Sequence, residues 1–308
     1  MRPVPLRLVW PESDEAGPAF WRIVLRELRP HQWVKNALLF VPLALAHQLG
    51  EPARWLSLAA ALVAYSACAS AVYVLNDLAD LSADRRHPQK QHRPIASGAI
   101  STSQALALAA SAAAFGFSLA FALSPAFAGM LLLYVILTTV YSSALKRTLV
   151  LDVLVLAALY THRLLCGGIV GGVEVSHWLM SFSMFFFMSL ALLKRFVELR
   201  RREAAGVENR RGYLPDDAAM VQNLGLAGGY LSVLVLCLYI SSNAVAEHYS
   251  RPGALWLIAP ALLYWISRTW LLARRDAIDE DPVLAAVKDP ASYVVGAICV
   301  ACLVVGSL

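Results

Sequence analysis

Charged residues are scarce in this chain of 308 residues: Asp, Glu, Lys and Arg make up 15% of it, whereas hydrophobic residues make up 59%. A soluble globular protein needs a larger polar surface than this composition supplies, so that class is excluded. The mean hydropathy is +0.59, as expected where much of the chain lies in apolar membrane segments of about 20 residues each. The composition therefore predicts an all-α, polytopic membrane protein.

Cysteine is also sparse, and its pattern does not indicate a metal site or a disulfide framework. The cysteines are Cys68, Cys166, Cys237, Cys299 and Cys302. All of them fall in apolar stretches, where thiols usually pack as small hydrophobic groups. The first 20 residues contain no apolar run that ends in a small-residue cleavage site, so we expect no signal peptide.

Long apolar runs account for most of the chain. Segments of membrane-spanning length fall at about 32–49, 53–75, 102–123, 126–145, 149–171, 176–193, 220–241, 253–273 and 291–308. The first is short and is interrupted by Lys35, Pro42 and His47. Ser101 and Gln104 predict a capping box where the third begins. The sequence thus predicts nine membrane-spanning helices.

The connections between these segments are too short for a separate domain, so we expect an N-terminal tail over residues 1–19 and one transmembrane domain over 20–308. Nearly all of the 26 Lys and Arg residues lie in the N-terminal stretch or on one set of loops. The positive-inside rule then places the N-terminus and two cap loops, 76–100 and 194–219, in the cytoplasm, for a protein of the inner membrane. This topology and anionic lipids explain the net charge of +5 without nucleic acid.

An amphipathic segment precedes the first span. Its apolar residues recur at helical spacing, with arginines interleaved between them: Phe20, Trp21, Val24, Leu25 and Leu28, then Arg22, Arg26 and Arg29. The pattern predicts an interfacial helix on the cytoplasmic leaflet. A solvated helix packed on a loop is the alternative.

An acidic motif follows the second span. Asn76, Asp77, Asp80 and Asp84 fall within one quadrant of a continuing helix. Carboxylates crowded together need a positive partner, and carboxylates with phosphate oxygens suit Mg²⁺. Basic residues that can bind phosphate follow directly: Arg85, Arg86, His87, Lys90 and Arg93. The alternative is a solvated helix extension that carries mixed charges.

The motif Asn76-Asp77-x-x-Asp80-x-x-x-Asp84 resembles the first aspartate-rich motif of the UbiA superfamily of intramembrane prenyltransferases, whose nine-helix fold and cytoplasmic cap agree with the predicted spans. Residues 29–36, 84–98 and 141–146 are similar to the branch that transfers phosphoribose to decaprenyl phosphate. The similarity continues with Asp152, Tyr160 and Arg163.

Members that transfer a prenyl group usually carry a second motif, DxxxD, after the sixth span, and this chain departs from that pattern. Lys194, Arg195 and Glu198 stand there instead, followed by three arginines at 200–202. A cationic cluster with one acid holds a second metal poorly, but it can hold the phosphate of a second substrate. Ordinary positive-inside charge explains the three arginines equally well.

The resemblance implies that 5-phosphoribosyl 1-diphosphate is the donor and a polyprenyl phosphate, decaprenyl in the named branch, is the acceptor, so that the product feeds lipid-linked pentose donors for the cell envelope. Mg²⁺ is the implied cofactor. Its implied ligands are Asp77, Asp80 and Asp84, supported by Asn76. Membrane lipids are further expected partners, and homo-oligomerisation is left open.

Basic residues carry the remaining implied roles. Lys90, Arg93 and Lys146 neutralise the departing pyrophosphate, whereas Lys194 and Arg195, with Lys35, bind the lipid phosphate. The other candidate substrate-binding residues are Asn36, Arg85, Tyr141, Asp152, Tyr160, Arg163 and Glu198.

Intramembrane charges usually face a cavity, and Asp152 and Arg163 share a helix face. A structural pairing with a neighbouring helix is the alternative for Arg163. His162 is expected to be a packed polar group, and the glycines at 167 and 168 are expected to allow close helix packing.

Two other functions stay open. A prenyltransferase that acts on an aromatic or quinone-precursor acceptor shares the first motif, but is expected to have the second one and a base that removes the arene proton. A transporter or structural membrane protein that binds cations at the acidic loop is expected to carry more ionisable groups at mid-membrane depth.

Overall fold

The computed structural model describes residues 20–46, 50–205, 212–246, 248–278 and 282–308, and all regular elements within these ranges are helical. The α-helices are α1 (Phe20–Leu28), α2 (Val41–Leu45), α3 (Pro52–Ala79), α4 (Leu81–Asp84), α5 (Thr102–Leu123), α6 (Pro125–Ser143), α7 (Leu151–Gly171), α8 (His177–Ala205), α9 (Ala218–Ile240), α10 (Asn243–Ala246), α11 (Ile258–Arg274), α12 (Pro282–Lys288) and α13 (Pro290–Ser307). Short 3-10 helices cover Pro30–Phe40, Lys90–His92, Leu145–Arg147, Pro215–Asp217 and Pro252–Leu257.

Eight of the described helices are long and apolar enough to cross a membrane: α3, α5, α6, α7, α8, α9, α11 and α13. The all-α, multi-pass prediction is thereby confirmed. The predicted first span, 32–49, differs. It is a 3-10 helix over Pro30–Phe40 and an α-helix only over Val41–Leu45, and residues 47–49 lie outside the described ranges.

This 3-10 segment nevertheless packs along α3 and contacts it near both ends. Arg29 pairs with Asp77 near the end of α3, whereas Phe40 stacks on Trp55 near its start, with ring centroids 5.9 Å apart. A 3-10 helix rises about 2.0 Å per residue, so this segment extends about 22 Å. The described residues thus contain eight helices of spanning length rather than the nine predicted. The 32–49 segment is a shorter and tighter helix than the hydropathy pattern predicts, and its crossing of the membrane stays a prediction.

Polar bonds to α3 hold the 3-10 segment in place. The Trp33 indole donates to the Ser70 hydroxyl at 3.0 Å, and the Asn36 amide donates to the Ser66 hydroxyl at 2.9 Å. Side chains three residues apart eclipse in a 3-10 helix, so both donors face α3.

The described spans bury their surface unequally: α3, α7 and α8 are mostly buried, whereas α5, α6 and α13 expose most of theirs to the surroundings. At the centre, α7 approaches the 3-10 segment so closely that a Cβ on Gly167 would lie 2.1 Å from the Leu39 carbonyl oxygen. The expected role of Gly167 in close packing is confirmed.

The acidic loop departs from the predicted helix. We expected α3 to continue through Asp84, but it ends at Ala79, and Asp80 (φ −91°, ψ 4°) separates it from the short α4. Negative side chains are unfavourable at a helix C-terminus, which accounts for the break at this run of acids. The chain then folds back until Ser101 and Gln104 form the predicted capping box at the start of α5.

Candidate functional site

The candidate site lies where α1, the end of α3 and the returning 85–100 loop meet. Asp77 and Asp84 are 5% and 3% exposed. Arg93 joins them, because its Nη1 lies 3.0 Å from Asp77 Oδ1 and 2.6 Å from Asp84 Oδ2. Arg29 pairs with the other Asp77 oxygen. Two acids and two arginines thus form one interlocked cluster.

The other predicted residues of this loop lie around the cluster. Lys90 Nζ is 3.9 Å from Asp84 Oδ1, and Asn76 is half-buried. Asp80 is exposed because the helix breaks there, so the expected one-sided grouping of three aspartates holds only for Asp77 and Asp84. The role of Asp80 as a metal ligand stays a prediction. Arg85 donates to the Ala96 carbonyl at 3.3 Å and shapes the loop.

Glu27 belongs to the cluster although sequence reasoning missed it. It is 1% exposed, and no hydrogen-bond donor among the described residues reaches either of its carboxylate oxygens. Burial raises the pKa of Glu27 to about 7, and the Asp77 charge adds to this rise against the lowering by Arg29. The sequence feature that could have indicated Glu27 is its position on the otherwise apolar, inward face of α1, one turn after Ile23.

The donor set fits a magnesium–diphosphate. Within the described ranges, no three His, Cys, Asp or Glu side chains are grouped as a complete metal site. Mg²⁺ does not require one, because it commonly uses one or two carboxylates and takes its other ligands from substrate phosphates and water. Asp77 and Asp84 supply such carboxylates, and the unpartnered oxygens of Glu27 beside Asp77 add hard oxygen donors.

A second charged cluster lies where α7 begins and α8 ends. Arg195 and Asp152 are both fully buried, and Arg195 Nη2 lies 2.7 Å from Asp152 Oδ2. Arg195 also pairs with Glu198, and the Tyr213 hydroxyl donates to Asp152 Oδ1 at 2.8 Å. The structure thus places Arg195 inside the protein rather than at a lipid phosphate, because a buried charge requires partners.

The backbone is strained beside this second cluster. Val150, just before α7, has φ +65°, a conformation that β-branched residues rarely adopt. Its N–H donates to the Tyr213 hydroxyl at 3.1 Å. Gly212 (φ +76°) packs on the Arg147 carbonyl, so the 212–217 segment closes over the turn that carries Lys146.

The predicted basic ligands remain at the edges of the two clusters. Lys146, Lys194 and Lys35 are half-buried, and Lys35 donates to the Gln32 side chain at 2.7 Å. The half-buried Tyr141 lies in the last turn of α6, which ends at Ser143 shortly before Lys146. Their roles toward substrate stay predictions.

Arg163 lies within the helix bundle. It donates to Asn36 Oδ1 at 2.9 Å and to the Leu159 carbonyl at 2.5 Å. The rings of Tyr65, Tyr134 and Tyr160 surround its guanidinium at 5.0 to 5.5 Å. This is the structural pairing weighed as the alternative for Arg163, and a role in substrate binding stays a prediction.

His162 is a packed polar group, as expected. Its ring nitrogens lie 3.1 Å from the Tyr65 hydroxyl and 3.0 Å from the Met130 carbonyl.

Comparison with known proteins shows the family to which the chain belongs. Residues 37–287 match the UbiA prenyltransferase family. The chain belongs to this family. It is therefore a membrane-embedded transferase, and the resemblance carried by the acidic motif is confirmed.

Three relatives illustrate the range of the family around this chain. The uncharacterized protein y4nM of Sinorhizobium fredii is 38% identical over 281 residues, which cover 89% of this chain but only 54% of that protein. The nodulation protein NoeC of Azorhizobium caulinodans is 35% identical, over 86% of this chain and 87% of its own length. Decaprenyl-phosphate phosphoribosyltransferase of Mycobacterium tuberculosis is 33% identical over 195 residues, 61% of this chain and 64% of that enzyme.

Solved structures show the same fold at low sequence identity. A UbiA homologue from Archaeoglobus fulgidus bound to GPP and Mg²⁺ has a TM-score of 0.67 at 17% identity, over 92% of this chain and 99% of that one. A digeranylgeranylglyceryl phosphate synthase has a TM-score of 0.65 at 14% identity, over 94% and 98%. The UbiA-like bundle is thus established for the chain.

Proposed function

We propose that the chain transfers the 5-phosphoribosyl group from 5-phosphoribosyl 1-diphosphate to a polyprenyl phosphate and releases pyrophosphate in a Mg²⁺-dependent reaction. The observation that most supports this proposal is the difference in charge between the end of α3 and the end of α8. The α3 end presents an acidic cluster, whereas Glu198, the one acid among residues 194–201 of α8, is already paired with Arg195. The similarity of this chain to the mycobacterial decaprenyl-phosphate phosphoribosyltransferase supports the same reaction.

The donor is assigned to the cluster of Asp77 and Asp84. Bound Mg²⁺ supplies positive charge that stabilises the leaving diphosphate. Arg29, Arg93 and Lys90 donate to diphosphate oxygens from the same side, because they already crowd the two acids. Most of the rate enhancement then comes from placing positive charge where the leaving group becomes negative.

The acceptor is assigned to the region between this cluster and the α8 end. The bond from the anomeric carbon to the diphosphate oxygen breaks with oxocarbenium character, and a lipid phosphate oxygen forms the new bond. A phosphate monoester has a second pKa near 6, so at neutral pH it is already an anion and needs no strong base. Lys194 and Lys35 bind this phosphate, and Arg195 holds α7 and α8 in register as a positioning residue.

The reaction is tested on the purified chain in detergent with Mg²⁺. One mixture contains labelled 5-phosphoribosyl 1-diphosphate and polyprenyl phosphate, and the other contains prenyl diphosphate and a labelled aromatic acid. Label that enters the lipid phase only in the first mixture supports the proposal. Prenyl transfer in the second mixture alone overturns it in favour of an aromatic prenyltransferase.

Two variants tie the assay to the site. Asp77→Asn is expected to lower turnover at least a hundredfold, because it removes a charged oxygen from the metal cluster. Glu51→Gln is the matched control, since Glu51 is exposed at the opposite end of α3 and its loss leaves turnover unchanged.

A further inference from the structure

Glu27 reaches the site from a helix outside the transmembrane bundle. One turn before it, Ile23 packs against a buried cluster that includes Ala71, Val74 and Ile95. This packing presses the inner face of α1 onto the end of α3 and the returning loop. Glu27 follows on that face and is 1% exposed. The carboxylate is therefore held at the site by the docking of a whole helix.

The Glu27 carboxylate differs from the other acids of the site in its partners. Asp77 pairs with Arg29 and Arg93, and Asp84 pairs with Arg93 and Lys90. Both Glu27 oxygens are buried beside the Asp77 carboxyl, and no donor in the described part of the chain bonds to them. A buried carboxylate next to another acid is unfavourable unless a cation or a proton lies between them.

We propose that Glu27 is an additional ligand of the divalent cation that accompanies the donor's diphosphate, so that α1 and α3 together build the metal site. This inference rests on the proposed function. Two carboxylates with diphosphate oxygens make the hard oxygen set that Mg²⁺ and Mn²⁺ share. The apolar residues Phe20, Trp21 and Leu25 are exposed on the outer side of α1, so a helix that contacts lipid would also complete the metal site.

The competing explanation is a proton shared between Glu27 and Asp77. Glutamine separates the two explanations, because it keeps the size of Glu27 and can donate a hydrogen bond to Asp77, as a protonated glutamate does, but it is a much poorer metal ligand. Glu27→Gln therefore preserves the shared-proton arrangement and removes the proposed ligand.

The experiment measures Mn²⁺ binding rather than turnover. The purified full chain is titrated with the preformed Mn²⁺–pyrophosphate complex, and the Mn²⁺ bound to the protein is measured by equilibrium dialysis. Compared with the unchanged chain, Glu27→Gln and Asp77→Asn are each expected to weaken Mn²⁺ binding at least tenfold. Glu51→Gln, the control of matched chemistry, leaves the affinity unchanged. Glu27→Asp, which keeps the charge on a shorter side chain, is expected to weaken binding less than Glu27→Gln and serves if the glutamine variant does not fold.

The outcomes separate this inference from the proposed function. Unchanged Mn²⁺ affinity in Glu27→Gln, with weakened binding in Asp77→Asn, overturns the role of Glu27 and leaves the phosphoribosyl transfer standing. Unchanged affinity in both variants removes the metal site from this cluster and overturns both. If Glu27→Gln does not fold, affinity in Glu27→Asp equal to that of the unchanged chain overturns the role of Glu27.

Discussion

At the scale of single residues, the burial of Arg195 among acidic partners is the basis of its proposed positioning role. Its position after the α8 span suggested a phosphate ligand, yet it is fully buried against Asp152 and Glu198. Tyr213 completes the network from the segment that closes over Lys146. Arg195 of α8 therefore joins α7 to this segment through Asp152, the geometry expected of the positioning role proposed above.

Removal of Asp152 is expected to destabilise the protein. In Asp152→Ala the buried Arg195 charge loses one of its partners. Breaking a buried ion pair in this way lowers the free energy of unfolding by about 3–5 kcal/mol. The double variant Asp152→Ala/Arg195→Met is expected to regain much of this stability, because no unpaired charge remains. Thermal unfolding of the single and double variants in detergent measures the coupling. An unchanged melting temperature in Asp152→Ala, with a raised KM for the lipid acceptor, would contradict the positioning role.

At the scale of elements, close packing against α7 holds the 3-10 segment in the bundle. Gly167 permits it, because any side chain there would meet the Leu39 backbone. The same segment carries Asn36, which accepts from Arg163 of α7 at 2.9 Å. Close packing and a buried hydrogen bond thus act on the same pair of elements.

Gly167→Ala is expected to destabilise this contact by about 1–3 kcal/mol through overpacking, with a lower melting temperature as the readout. Gly296→Ala is the matched control, because Gly296 also lies within a helix but has open space around its Cβ position. Alanine has the higher helix propensity, so the control is expected to be neutral or slightly stabilising. Equal melting temperatures for the two variants would refute the close approach.

At the scale of the whole molecule, the 3-10 segment places α1 at the opposite end of α3 from Glu51. Arg29 and Asp77 meet at one end of α3, and Glu51 precedes its other end. The N-terminal helix α1 and the acidic loop therefore lie at the same end of the bundle, and the positive-inside rule predicts that this end faces the cytoplasm.

Accessible-cysteine labelling tests this arrangement in a background without the native cysteines. Exposed positions are changed one at a time, as Arg22→Cys, Ser82→Cys and Glu51→Cys, and are labelled with an impermeant maleimide in intact and inverted vesicles. Arg22→Cys and Ser82→Cys are expected to react only in inverted vesicles, and Glu51→Cys only in intact ones. Labelling of Arg22→Cys on the same side as Glu51→Cys would mean that the 3-10 segment does not cross.

The features of this protein that depend on residues close together in the chain could be predicted from the amino-acid sequence. Hydropathy located the eight long spans, the Ser101–Gln104 pattern located the start of α5, and the spacing of the aspartates located the family motif. Such signals are complete within a few turns of chain, because insertion and capping depend on local composition and local hydrogen bonds.

Which charged residues come into contact depends on how the helices pack, and this could be seen only in the folded structure. Arg29 and Asp77 are 48 residues apart in the chain, Glu27 enters the cluster only because α1 docks on α3, and Arg195 is internal only because Asp152 and Tyr213 converge on it. Helical periodicity cannot anticipate these contacts, since it describes the face of one helix and not the partner that the face will meet. Burial then sets the outcome, because a charge removed from water must find an opposite charge, a proton or a cation wherever the packing places it.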